Sequence, residues 1–206
     1  MRRTALSVIA ALGVLAPAAA AADYESGLAA YARYDFVAAM ADLRPLAEQG
    51  DARAQNQLGT MYYLGQAVAQ DYAEAARWYR ASADQGYDRG QSNLASLYLA
   101  GLGVRQDYAE ALRLSQAAAA QGNADAMANL GYMYFNGLGV PQSDGEALCW
   151  YRAAAEAGGA VAQYNLAYMY QNGRGVTPDV GEARRWYQAA ASQGDADAEA
   201  ALQQLQ

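Results

Sequence analysis

The sequence predicts an all-α chain, built as a stacked array of antiparallel helix pairs. Three observations carry this. Glycine recurs every 36 residues, at Gly50, Gly86, Gly122, Gly158 and Gly194. Counted from each glycine, the same residue types return: Leu58, Leu94, Leu130, Leu166 and Leu202 at offset 8, and Tyr62, Tyr98, Tyr134 and Tyr170 at offset 12. Within each unit the apolar residues follow helical spacing instead of alternation. A fixed period of this length marks supersecondary units that bury their faces by stacking on one another.

The chain has 206 residues, room for one domain or one modest array, and at 54% hydrophobic it can build a core. Residues 1–22 read as a secretory signal. Arg2 and Arg3 form the positive start, ALSVIAALGVLA (5–16) the apolar stretch, and small-residue cleavage sites follow Pro17, ending near Ala22. The apolar stretch is too short to span a bilayer comfortably. The mature chain is therefore expected in the periplasm or secreted, without stable membrane insertion. Removing the segment leaves 12 arginines against 21 acids, a net charge of −9.

Residues 23–49 read as a first helix pair without a glycine corner, its second helix starting near Asp35 and Ala39. Four full units follow, 50–85, 86–121, 122–157 and 158–193. In each, a first helix occupies about offsets 1–14, with apolar or small residues at 4, 8, 11 and 12 on one face. Gly65, Gly101, Gly137 and Gly173, at offset 15, suit a left-handed residue just past a helix end. The second helix starts at offset 21. Asp71-x-x-Glu74, Asp107-x-x-Glu110, Ser143-x-x-Glu146 and Asp179-x-x-Glu182 each have the form of a capping box. Trp78, Trp150 and Trp186 follow at offset 28, and Trp150 and Trp186 are expected inside the array; Leu114 takes that place in the second unit. Residues 194–206 form a closing half unit.

The stretches LASLYLAGLGVRQDYAEALRLSQAAAAQG, LGYMYFNGLGVPQSDGEALCWYRAAAEAG and LAYMYQNGRGVTPDVGEARRWYQAAASQG, with the related stretch from Leu58, resemble the Sel-one-like repeat. This is the tetratricopeptide-like class with a glycine-containing corner. The pair in 24–49 is more similar to an ordinary tetratricopeptide unit. Ala67 departs from the pattern at the second corner glycine, and Leu114-Ser115 departs from Trp-Tyr. The resemblance implies a right-handed α/α superhelical solenoid whose first helices line a concave groove, acting as a protein-interaction scaffold or adaptor, a monomer on its own.

On that geometry, offsets 3, 6, 10, 13 and 14 face the groove. The first two units bring arginines and hydroxyls there, with Tyr63. The last two bring an aromatic patch, Tyr132, Phe135, Tyr164 and Tyr168, flanked by Asn136 and Gln171. Aromatics outside the core are suited to partner contacts. These seven residues are the expected contacts for a protein or peptide.

Other chemistry finds little to work with. All 14 basic residues are arginine, and a chain this acidic lacks the footprint for nucleic acid. With no histidine and no lysine, the histidine-based triads, histidine-metal sites and lysine nucleophiles are absent. No cofactor is expected, and the reading is non-enzymatic. Cys149 is the sole cysteine and cannot form an internal disulfide; its register places it on a solvated helix face. The alternative is a binder of cell-wall fragments or small ligands, and less so a β-lactamase-like hydrolase. The resembling proteins described with β-lactam chemistry carry a cysteine pair in each unit, which this chain does not.

Overall fold

Residues 23–205 are described by a computed structural model; the expected signal, 1–22, lies outside the described residues. These residues form eleven α-helices and no strand. α1 (Tyr24–Ala32) and α2 (Phe36–Glu48) make the first pair. α3 (Ala52–Leu64) and α4 (Tyr72–Ala83), α5 (Asp88–Ala100) and α6 (Tyr108–Ala119), α7 (Ala124–Asn136) and α8 (Asp144–Glu156), and α9 (Ala160–Asn172) and α10 (Val180–Ala191) follow as pairs. α11 (Ala196–Gln204) stands at the end.

The corner between paired helices explains the repeated GLGV. Gly101 closes α5 in the left-handed region at φ 69°, where a Cβ is disfavoured. Gly103 is also left-handed, and it lies against the start of the preceding unit's second helix: a Cβ there would collide with the Tyr72 carbonyl. The corner glycine thus serves both its own turn and the stacking of units. Ala67 holds the same left-handed conformation, φ 61°, at an exposed corner.

The second helices are capped as expected in one half of the motif only. The Asp71 carboxylate accepts from the Ala73 and Glu74 amides and Asp107 from the Ala109 and Glu110 amides, while the Ser143 hydroxyl and the Asp179 carboxylate each accept from one, Glu146 and Glu182. The glutamate does not reach back. The cap's own N–H already donates to the first helix, Asp71 to the Tyr62 carbonyl at 3.0 Å and Ser143 to the Tyr134 carbonyl at 2.9 Å. Glu74, Glu110 and Glu182 instead pair with Arg77, Arg113 and Arg185 one turn on.

In the four full units each first helix buries its offsets 4, 8 and 11, as in Ala126, Leu130 and Met133. The expectation for the tryptophans is corrected. Trp78 is buried, but Trp150 and Trp186 are half-buried. The interior position is the next residue, where Tyr79, Tyr151 and Tyr187 are 4%, 2% and 1% exposed. A 100° helical step separates these neighbours, and the tyrosine is the one aimed at its partner helix. Gly59 and Gly131 make room for the ring: a Cβ on Gly131 would lie 2.7 Å from Tyr151 Cδ1.

First helices of successive units also touch one another, α3 on α5, α5 on α7 and α7 on α9, whereas no comparable contact joins successive second helices. The first helices therefore lie on the inside of the curve.

Candidate functional site

The inner wall carries a hollow that recurs at the joints. Between the first and second units it encloses about 460 Å³ and is lined by Thr60, Tyr63, Tyr79, Asn93 and Ser96, among others. Between the third and fourth it encloses about 240 Å³, lined by Phe135, Tyr151, Tyr164, Asn165, Tyr168 and Met169. Between the fourth unit and α11 a third hollow of about 350 Å³ has Tyr164, Tyr168 and Tyr187 in its walls. The interior tyrosine of offset 29 lines each of them. Ser115 occupies that offset in the second unit, so the series changes character there.

The three tyrosines differ at the hydroxyl. Tyr79 shares a hydrogen bond with the Thr60 hydroxyl at 3.1 Å. Tyr187 donates to Gln171 Oε1 at 2.8 Å. At the corresponding places beside Tyr151 stand Tyr132 and Phe135, and the Tyr151 hydroxyl has no hydrogen bond among the described residues. Burial disfavours the phenolate, pushing Tyr79 and Tyr187 up to about 12 and Tyr151 higher still.

Of the expected contact residues, Asn136, Tyr132 and Tyr168 are exposed, the two tyrosines at 49% and 39%. Phe135 meets Tyr168 edge-on, with ring centres 6.3 Å apart, and carries the Arg174 guanidinium 4.5 Å over its face. Tyr164 is half-buried and packs against Tyr187 at 5.4 Å. Gln171 is occupied by the Tyr187 hydroxyl, and the Asn136 amide by the Tyr132 carbonyl. Tyr63 lies apart from the aromatic patch, against Tyr72 at 5.3 Å and in the first hollow. Offset 6 was expected on the open wall. Asn56 and Ser92 are instead buried there, because first helices of adjacent units meet along that line.

Sequence reasoning missed Tyr79, Tyr151 and Tyr187 as hollow-lining residues. A signal was present: offset 29 reads Tyr, Ser, Tyr, Tyr against Gly, Ala, Gly, Ala at offset 9. The wall also changes sign along its length. Offset 3 reads Arg53, Arg89, Asp125, Val161 and Asp197. Among the described residues no group of three or more His, Cys, Asp or Glu side chains is placed to hold a metal, and no helix is long and apolar enough to cross a membrane.

An α/α solenoid with a hollowed, tyrosine-lined inner wall is a repeat-type binding scaffold in its architecture. More particularly, the chain belongs to the Sel1 repeat family, whose model matches residues 52–87, 88–123, 124–159 and 160–195. Proteins of this family are generally non-catalytic, protein-interaction scaffolds. Similar solved structures include a protective antigen of uropathogenic Escherichia coli with an SLR fold, at 38% identity and TM-score 0.69, covering 87% of this chain. This chain spans 39% of that protein's length. A Sel1 repeat protein from Oxalobacter formigenes is similar at 34% identity and TM-score 0.75, with 87% of this chain and 74% of that one covered. A putative Sel1 repeat protein from Klebsiella pneumoniae, at 22% identity and TM-score 0.63 over 88% and 90% of the two chains, shares the fold. No curated protein matches the chain.

Proposed function

We propose that this chain is a scaffold of the bacterial envelope that holds an extended segment of a partner protein along its inner wall, from α7 to α11. The carrying observation is the pair Tyr132 and Tyr168. Both are large, exposed and on the inner helices, while the core beneath them is closed by other residues. Beside them the unpartnered Tyr151 hydroxyl lines a hollow, where a polar atom on an inserted side chain would find a donor. Export rests on the N-terminal segment with its Arg2–Arg3 start and apolar run.

The test is photo-cross-linking in cells, with a photoreactive phenylalanine analogue at Tyr132 or Tyr168 and, as a convex control, at Gln188. A single partner band from the two inner positions, absent from the control and recovered in the periplasmic fraction, is the expected result. Equal cross-linking from Gln188 would refute the inner-wall reading. Recovery of the protein only in the cytoplasm, with its first 22 residues intact, would refute export.

A further inference from the structure

We infer that the hollow between α9, α10 and α11 is a subsite for one arginine side chain of the partner segment, held between tyrosine rings and the Asp197 carboxylate. The inference rests on the inner wall being the binding face, and it names the chemistry of one contact.

The chain's own arginines show what such a place accepts. Arg53 lies 4.3 Å over the Tyr24 ring while its guanidinium meets Asp51 at 3.1 Å. Arg77 lies 4.2 Å over Trp78 and pairs with Glu74. Arg174 lies 4.5 Å over Phe135 and meets Asp144 at 2.7 Å, through both of its carboxylate oxygens. Arg185 lies 4.4 Å over Trp186 and meets Glu182 at 3.0 Å. In these four of the chain's five arginine–ring contacts among the described residues, the guanidinium meets an aromatic face and a carboxylate together; the fifth, Arg80 over Tyr98 at 5.6 Å, has the ring alone. The planar cation satisfies both, the ring quadrupole through its face and the carboxylate through its N–H groups.

The C-terminal hollow has the same parts without the cation. Tyr164 and Tyr168 present ring surface from α9, with the buried Tyr187 closing the base behind them, and Asp197 comes from the first turn of α11. Asp197 is exposed and has no ion pair among the described residues. Among the described residues no basic side chain lines the hollow. Arg184, on α10, is engaged with the Leu205 carbonyl at 2.7 Å. The remaining lining offers exposed side-chain acceptors, Asn172 and Gln204. The field of the carboxylates reaches the rings: burial first, then Asp197 and Asp195, raise the Tyr164 hydroxyl above its ordinary range. The volume of about 350 Å³ admits a guanidinium on its methylene stem. Arginine is favoured over lysine because the Tyr164 and Tyr168 rings reward a flat cation more than a strongly hydrated point charge.

The experiment titrates the full chain with Nα-acetyl-L-arginine amide and follows tyrosine ring resonances by NMR, with Tyr164 and Tyr168 assigned by single Phe substitutions. Saturable shifts at these two rings are expected. Nα-acetyl-L-citrulline amide, which keeps the shape and loses the charge, should bind at least about tenfold more weakly. Asp197→Asn should weaken the arginine probe by about tenfold, and Asp197→Glu should retain it. Equal binding of the two probes overturns the inference, as does an Asp197→Asn titration that superimposes on the parent's. Binding lost only together with the thermal transition would show a structural role for Asp197 and also overturn it. Cross-linking at Tyr132 and Tyr168 does not depend on Asp197. A partner captured there, with no response to the arginine probe, would keep the inner-wall reading and discard the cation subsite.

Discussion

Tyr151 and Trp150 are neighbours in sequence with opposite surroundings, and replacing each by alanine separates two accounts of the core. Tyr151 is 2% exposed, and its ring lies on Gly131 so closely that no Cβ fits between them. Its removal leaves a cavity between α7 and α8, and truncating a buried aromatic costs about 3–5 kcal/mol. For a chain of this size each kcal/mol lowers the midpoint by about 2–4 °C, so Tyr151→Ala should melt roughly 6–20 °C below the parent. Trp150 is half-buried at the edge of the Leu130 cluster, and its loss should cost about 1–2 kcal/mol. Because units contact mainly their neighbours, both effects should be regional, with the first pair retaining helix longest. Tyr151→Phe refines the test. The hydroxyl has no partner among the described residues, so this change should stay within about 0.5 kcal/mol. Tyr187→Phe loses the bond to Gln171 and should cost about 1 kcal/mol. Far-UV circular dichroism against temperature and urea measures all four variants. If Trp150→Ala costs as much as Tyr151→Ala, the assignment of offset 29 as the interior aromatic position is wrong.

The buried tyrosines should also appear in alkaline titration. Ultraviolet absorbance near 295 nm should show Tyr79 and Tyr187 ionising only at about 12, above the free tyrosine value of about 10. Their folded values lie above the unfolded one, so the stability they contribute is full below about pH 10 and is lost as pH rises toward 12; a protein equally stable at pH 9 and 12 would contradict this. At the acid end the Arg174 guanidinium holds Asp144 below the usual carboxylate range, and Arg77 and Arg113 do the same for Glu74 and Glu110. That contribution is present above about pH 4 and declines as pH falls through the depressed values; Asp144→Asn should flatten the acid limb of the pH–stability curve. Cys149 is exposed, at the place where other units carry the arginine that pairs with glutamate. A thiol reagent should modify it in the native protein at a rate close to that in denaturant, and protection until unfolding would contradict its placement. Tyr132→Ser combined with Tyr168→Ser should leave the melting temperature within about 2 °C of the parent, since neither ring belongs to the buried core; a large loss would make them structural.

The helix pairs, their corners and their capping residues were legible in the sequence because each is a local demand repeated at one spacing. A left-handed corner calls for glycine at offset 15, an orphan helix start calls for Asp or Ser at offset 21, and a buried stripe calls for Leu and small residues one turn apart. The inner wall was legible in part. Tyr132 and Tyr168 stand open as the register required, whereas Asn56 and Ser92, on the same predicted line, are closed off by the neighbouring unit.

What the tertiary structure alone decided lies between elements. Tyr or Trp can fill the interior in the middle of the second helix, and the pattern favours both. The choice falls on Tyr151 because α7 crosses α8 where Gly131 faces residue 151 and not residue 150. The glutamates of the capping motif turn to arginine because the cap N–H is already taken by a carbonyl twelve offsets into the unit. Asp197 joins Tyr164, Tyr168 and Tyr187 only when α9, α10 and α11 are stacked. Periodicity reports which face of a helix is apolar, since that depends on residues three and four apart. It carries no record of which side chain on one helix lands opposite which on another, because that is set by crossing angle and closest approach, quantities that exist only once the units have packed.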